Sequence, residues 1–313
     1  MTSDSGTLTV ITANIEHDGG ADVNGQPPQR WHEAHALLAE HRPDVLLRQE
    51  MTYSHDEGRR LHQAERVLGM RGFLGVRPQG AGRNPTGLFI RPDVLEIHRE
   101  IEQSRMWRTP PTCVAVSLRE VPEVPIAVMS WHLAFNNPPV RATETYEILG
   151  IADKNNSGWA FIGAGDCNEA PDPAGERVPP IDWADEKITD RMHMMHRTDS
   201  GPNGTRVNRT FSDTTLLTAG LHDPARYAAH TLGQPDALLA TAGRHKPHQG
   251  GPRRIDRHYV DARLVTAVKM VEVINMDGKS DHDAVKVVYW RTVFADALRR
   301  TIAPLPPYHL SPA

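Results

Sequence analysis

The sequence predicts an α+β protein built on mixed β-sheet. Strand-like and helix-like runs alternate from residue 7 onward. Between residues 87 and 133 short strand-like runs follow one another with tight Gly and Pro punctuation, the spacing of an antiparallel meander. Hydrophobic residues make up 39% and charged residues 24% of the 313-residue chain, which is globular composition, neither disordered nor fibrous. That length allows one large domain or two ordinary ones. Two halves meeting near residue 150 fit the pattern, and no internal repeat is visible.

Residues 7–14 (TLTVITAN) alternate β-branched and small side chains and lead into a Gly-, Asp-, Asn- and Pro-containing loop at 17–29. Residues 30–40 carry Trp31, Ala34, Leu37 and Leu38 at helical spacing, and Pro43 stops the helix before a strand at 44–50 (DVLLRQE). A second helix is expected over 57–68, then strands at 87–90, 95–99, 112–118 and 125–133. A helix over 140–152 precedes a buried strand at 159–166. The chain then loosens: 169–180 is Pro-rich, and 201–251 has weak periodicity with many Gly, Thr and His. Strands return at 254–264, 267–274 and 284–290. A domain over 1–292 is followed by a short helix at 293–300 and a Pro-rich surface tail at 303–313.

Several function classes are disfavoured. No apolar run approaches the roughly 20 residues of a membrane-spanning helix, and residues 1–6 lack the charged and apolar regions of a signal peptide. The expected location is cytoplasmic. The two cysteines, Cys113 and Cys167, fall on separate predicted strands, so reduced buried thiols are expected and not a disulfide framework. A net charge of -4 gives no global basic field, which leaves polyanion binding to a local patch.

Polar residues suited to metal or phosphate chemistry end several strands: Asn14, Glu50, His132, Asp166 with Asn168, Asp256, and Asp281 with His282. Strand ends opening into loops are where such proteins build sites. In 165–168 (GDCN) alternation sends Asp166 and Asn168 to one side and Cys167 to the core. The carboxylate can position or deprotonate a water, and the amide can donate to a developing phosphorane; the plain alternative is an Asp turn. In 280–283 (SDHD) Asp281 suits a hard cation and His282 a proton, and a buried Asp256 would orient that imidazole; alone, SDHD is also a common polar turn. Glu50 either binds metal or is the exposed last residue of its strand. Asn14 caps a turn or meets metal-bound water. His132 steadies a phosphate oxygen or is a core histidine.

Together and in this order the residues resemble the endonuclease/exonuclease/phosphatase superfamily. The pieces are 12–15 (TANI), 42–50 (RPDVLLRQE), 130–133 (SWHL), 165–168 (GDCN), 255–257 (IDR) and 280–282 (SDH), and the match runs from about residue 7 to 289. The resemblance implies a four-layered αββα sandwich of two mixed sheets, with the site at one edge. It makes Glu50 the principal Mg²⁺ or Mn²⁺ ligand with Asn14 and Asp281 near the ion. It makes Asp166 and Asn168 orient water and phosphate, His132 stabilise the transition state, and His282, oriented by Asp256, the base in an in-line hydrolysis. His132 stands where the abasic-site repair branch carries tyrosine, so the resemblance leans toward the deoxyribonuclease and phosphatase-like branches.

The resemblance implies a phosphate-ester substrate, with nucleic acid the first candidate. Residues 244–257 (RHKPHQGGPRRIDR) hold five Lys or Arg against one acid, so Arg253, Arg254 and Arg257 are candidates for contacting phosphates beside the scissile bond; a solvated loop is the plain alternative. Low aromatic content, 6%, leaves few rings for base stacking. That keeps open a small phosphorylated metabolite or a lipid headgroup. An inactive binding scaffold of the same fold is a second alternative, and a histidine-metal site at 192–196 (MHMMH) a third. The sequence leaves the oligomeric state open.

Overall fold

A computed structural model describes residues 6–55, 57–76, 84–103 and 106–300. The first half runs β1 (Thr7–Asn14), α1 (Gln29–Glu40), β2 (Val45–Gln49), α2 (Arg59–Leu68), β3 (Arg71–Leu74), β4 (Gly87–Ile90), β5 (Leu95–Glu100), β6 (Thr112–Leu118), β7 (Val121–His132) and α3 (Pro138–Ala152). The second half runs β8 (Ala160–Asp166), α4 (Arg191–Arg197), β9 (Thr198–Ser200), β10 (Arg206–Asn208), α5 (Phe211–Thr218), β11 (Leu221–His222) and α6 (Pro224–Thr231). It ends with β12 (Asp256–Asp261), α7 (Ala262–Val265), β13 (Val268–Ile274), β14 (Ala284–Trp290) and α8 (Arg291–Leu298).

The strands form two six-stranded sheets, ordered β13-β14-β1-β2-β4-β3 and β11-β12-β8-β7-β6-β5. Each contains one parallel pair, β1 with β2 and β7 with β8, among antiparallel neighbours. The sheets pack face to face through one row of each strand: Leu8 and Val10, Val45 and Leu47, Ile126 and Val128, Ile162 and Ala164, Val285 and Val287. The opposite rows meet the helices. Ile11, Leu46 and Phe89 lie under Trp31, Ala34 and Leu38 of α1 and Ala64 and Leu68 of α2. Ala127, Met129, Trp131 and Phe161 lie under Ile148 of α3 and Leu216 and Leu217 of α5. The expected αββα sandwich is the observed one. Strands apolar on both faces need cover on both faces, and the helices supply the outer layer.

The differences from expectation have local causes. Strand β7 begins at Val121 and not at 125, because the ladder with β6 shifts register between Val116 and Leu118 and so tolerates Pro122 and Pro125. Strand β12 stops at Asp261, whose carboxylate accepts from the Arg263 amide at 3.0 Å and starts a helical turn over residues expected to be strand. The edge strand β3 was not anticipated. The loosely patterned 201–251 stretch contains α5 and α6. Cys113 and Cys167 are free and buried, and burial pushes both thiols up to about 12. In α8, Phe294 and Leu298 are buried in the inter-sheet core. The expected tail at 303–313 lies outside the described residues. No helix among those described is long and apolar enough to cross a membrane.

Candidate active site

The inward rows of the strands change character at one edge of the sandwich. After Leu8 and Val10 come Thr12 and Asn14; after Val45 and Leu47 comes Gln49; after Ile126 and Val128 come Ser130 and His132; after Ile162 and Ala164 comes Asp166. A period of two therefore delivers a belt and then a site. The belt is Thr12 Oγ1 donating to Gln49 Oε1 at 3.2 Å and Gln49 Nε2 donating to Ser130 Oγ at 3.1 Å. Beyond it, Asn14 Nδ2 lies between two carboxylates, 3.4 Å from Glu50 Oε1 and 3.3 Å from Asp166 Oδ2.

Side by side in the parallel pair, His132 and Asp166 share a register position, and His132 Nε2 stands 3.6 Å from Asp166 Oδ2. Gly165 allows that approach: a Cβ there would come within 1.9 Å of the Trp131 carbonyl oxygen. From the opposite sheet neighbour, Asp256 pairs with Asp166 across β12 and β8. The Asp256 carboxylate accepts from Thr241 Oγ1 at 2.7 Å and binds His282 Nδ1 at 2.8 Å. His282 Nε2 then faces Asp166 Oδ2 at 4.0 Å. Burial alone would lower the His282 pKa, but Asp256, Asp166 and Asp281 override it and raise it to about 10. These carboxylates favour the protonated ring, whose Nε2 lies toward Asp166.

Two site residues sit in left-handed backbone, Glu50 at φ 58° and Asn168 at φ 50°, a conformation that persists only where its surroundings hold it. Glu50 Oε2 accepts from the His17 amide at 2.8 Å. Asn168 folds back so that its amide donates to Asp166 Oδ1 at 2.7 Å. Its carboxamide is fully engaged: Nδ2 donates to the Leu133 carbonyl at 3.0 Å, and Oδ1 accepts from Arg197 at 2.6 Å.

A divalent cation fits these residues. Asn14 Oδ1 is buried with no hydrogen-bond partner, beside the Glu50 carboxylate, and oxygen donors of this kind suit Mg²⁺ or Mn²⁺. Asp166, Asp256 and His282 also bring one ligand atom each within 4.8 Å of one another, but the Nδ1 of His282 is already held by Asp256. Asp281 is brought alongside by Ser280, whose hydroxyl donates to the Asn14 carbonyl at 2.7 Å. An unforeseen cation meets it: Lys246 Nζ lies 2.5 Å from Asp281 Oδ2. Removing that competitor in Lys246→Met is expected to tighten Mn²⁺ binding about tenfold by titration calorimetry, the effect of one close charge pair in a partly solvated site. An unchanged or weaker affinity would exclude Asp281 from the ion's ligands.

The basic 244–257 stretch does not form an open phosphate-binding surface. Arg244 pairs with Asp283 and Lys246 with Asp281, which staples this loop to the SDHD turn, and His245 pairs with Asp277 just before that turn. Arg254 is buried between Glu176 and Asp223. Arg257 is fully buried, donating to the Tyr259 hydroxyl and to the Glu169 and Arg254 carbonyls. These two arginines, expected at the substrate, are internal because their alternation points them away from the cleft or into the 169–226 ion network. Arg253 alone of the three stays beside the site. Residues that sequence reasoning missed are Thr241, Lys246 and Arg197; none belongs to a motif, and only Lys246 lay in a stretch singled out for its charge, while His193 enters only as part of the 192–196 histidine-metal alternative.

The model of the endonuclease/exonuclease/phosphatase family matches residues 11–282. No curated protein sequence matches the chain. Among solved structures it is similar to a humanized D. rerio TDP2, with TM-score 0.61 and 17% identity over 91% of this chain and 99% of that one. It is also similar to the 3' phosphatase NExo from Neisseria bound to product DNA hairpin (0.59, 17%, 90% and 99%). A third is an AP endonuclease from Archaeoglobus fulgidus (0.59, 14%, 90% and 99%). At these identities the structures speak for the fold.

Proposed function

Because the chain belongs to the endonuclease/exonuclease/phosphatase family, whose members are phosphate-ester hydrolases, we propose that it cleaves its ester by direct attack of water with Mg²⁺ or Mn²⁺ bound. The observation that carries this reading is the Asp256–His282 pair at 2.8 Å, aimed at Asp166 across a cleft that Asn14, Glu50 and His132 complete. Asn14 and Glu50, with Asp281, would hold the ion. Once bound, the ion supplies positive charge to the phosphoryl oxygens and the leaving group.

The protein's own groups divide the remaining work. Asp166 has one oxygen fixed by the Asn168 amide and the other facing the cleft, so it is the carboxylate placed to orient a water and accept its proton. Asp256 holds His282 Nδ1 and leaves Nε2 toward Asp166, and the protonated ring that the neighbouring carboxylates favour would donate from Nε2 to a phosphate oxygen or to the departing oxygen. Asp256 fixes its tautomer and balances its charge. This exchanges the base role that the motif assigns to His282 for Asp166. His132, 3.6 Å from Asp166, would donate to the pentacoordinate phosphorus oxygens from the other side.

Nucleic acid is the substrate class that the DNA-bound Neisseria neighbour supports. The test is hydrolysis of p-nitrophenyl phosphate and bis(p-nitrophenyl) phosphate, alongside plasmid, single-stranded DNA and RNA at low salt. Hydrolysis is expected with Mg²⁺ or Mn²⁺, complete loss in EDTA, and recovery when the metal is restored. If the metal-loaded protein cleaves none of these, the reading fails and a binding scaffold replaces it. Intact nucleic acid beside cleaved small esters would remove only the nuclease assignment.

A further inference from the structure

Most arginines enclosed by this fold have a carboxylate within ion-pair reach. Arg48 stands 3.6 Å from Asp18, Arg141 3.5 Å from Glu169, Arg226 2.8 Å from Glu176 and Arg263 3.2 Å from Asp261. Arg254 and Arg257 are paired as described above. Arg197 and Arg253 differ: among the described residues neither forms an ion pair. Arg197 is half-buried, donates to Asn168 Oδ1 at 2.6 Å, and leaves its other terminal nitrogen enclosed with no partner. Arg253 donates to the Gly251 carbonyl at 3.1 Å and leaves Nε without one. One turn before Arg197, on the same face of α4, His193 Nε2 is likewise enclosed and unpartnered.

These three side chains are held together by construction. The Asp190 side chain accepts from the His193 amide at 2.9 Å and from Gln249 Nε2 at 2.9 Å. The Thr189 and Asp190 amides donate to the His248 carbonyl at 3.2 and 3.1 Å. The start of α4 is thus stitched to the loop that carries Arg253. Each of these side chains lies in the field of the others. Burial, with Arg141 and Arg253 beside it, lowers Arg197 to about 9, and burial with Arg197 and Arg253 pushes His193 to about 3. Asp166 and Glu169 act on Arg197, and Asp166, Asp281 and Asp256 on Arg253, only from beyond ion-pair distance, and cations that lack a direct partner in a poorly solvated place are costly unless an anion joins them.

We propose that His193, Arg197 and Arg253 form an anion pocket beside Asp166 that takes a phosphate monoester, so that the reacting group is a terminal phosphate and not an internal diester. The inference rests on the phosphate-ester reading above and names its substrate class. Three unpartnered nitrogens match the three terminal oxygens of a monoester, where a diester presents two. Two unpaired guanidiniums match a dianion, where a diester carries a single charge. Asn168, with both ends of its carboxamide engaged, is then a positioning residue that fixes Arg197.

The shared chemistry is the terminal phosphate, whether on a nucleic-acid end or on a small metabolite. The experiment measures binding of inorganic phosphate by calorimetry and the ratio of kcat/KM for p-nitrophenyl phosphate over the bis ester. The proteins are the wild type, Arg197→Met, Arg253→Met and Arg197→Lys. Wild type is expected to favour the monoester. Each methionine variant is expected to lose about 10- to 100-fold in phosphate affinity, the effect of a charge-assisted donor, with Arg197→Lys in between and Mn²⁺ affinity unchanged. A preference for the diester, or phosphate affinity unaltered in both methionine variants, overturns the pocket. Should Arg197→Met not fold, Arg253→Met and the wild-type ratio decide. Oligonucleotides phosphorylated at either end, set against a sugar phosphate, distinguish the two sources. Phosphate binding without hydrolysis of either ester would sink the hydrolase reading and leave the pocket standing.

Discussion

His282→Ala is expected to lower kcat/KM for the cognate phosphate ester by about three orders of magnitude, the combined scale of a lost proton donor and a lost preorganised charge. The ring links Asp256 to the cleft, through 2.8 Å on one nitrogen and 4.0 Å to Asp166 on the other. Its removal leaves the buried Asp256 carboxylate with Thr241 for company. A fall of less than tenfold in steady-state assays would place proton transfer elsewhere. The same variant carries a stability readout in metal-free protein. His282 has a folded pKa of about 10 against an ordinary 6.5, so the ion pair's contribution is complete below about pH 6.5 and is lost as pH rises through 10. Denaturation midpoints of the wild type should decline across that window, and those of His282→Ala should decline less.

Arg254→Ala is expected to destabilise the fold by about 3–5 kcal/mol, measured by urea or guanidinium denaturation. Arg254 donates to both Glu176 oxygens, at 2.8 and 2.6 Å, and to Asp223 at 2.7 Å, all three groups being buried. Arg226 shares Glu176 and reaches Asp213 at 2.8 Å, and Asp213 in turn accepts from the Tyr259 hydroxyl. Burial would raise Asp213, but Arg226 and Arg257 hold it down to about 2. Truncating the hub leaves the buried Asp223 carboxylate without its ion-pair partner and Glu176 with Arg226 alone, which costs more than the pair itself contributes. A loss below about 1 kcal/mol would mean that water reaches Glu176 and Asp223, and would demote the network to a surface feature.

The same network explains what could and could not be read in the sequence. Strands β1, β2, β7 and β8 were legible because their apolar rows have a period of two and a polar residue where the row leaves the core. That transition also exposed Asn14, His132, Asp166 and Asp256 as neighbours. The 169–251 region was opaque because ion pairs order it. Glu176, Asp213, Arg226 and Arg254 are charged letters that look solvent-facing until their partners are known. Counting charge in 244–257 found the basic residues but not their direction, so Arg254 and Arg257 were placed at the substrate while Lys246 was not placed at Asp281. Arg197 ends a short helix just after the 192–196 stretch but belongs to no motif, and only its lack of a direct ion pair, a property of the folded chain, distinguishes it.

The Thr12–Gln49–Ser130 belt has a consequence beyond marking where the core ends. Its Gln49–Ser130 bond crosses from one sheet to the other one residue pair behind the site, and Ser130 Oγ also donates across to the Arg48 carbonyl at 3.0 Å. The two sheets are therefore keyed, and neither can slide along the other without breaking bonds that water cannot replace in the interior. Asn14 and Glu50 ride on one sheet, His132, Asp166 and Asp256 on the other, so their separations are tolerances machined into the joint. Chemical precision at the rim is inherited from a lock in the middle of the sandwich.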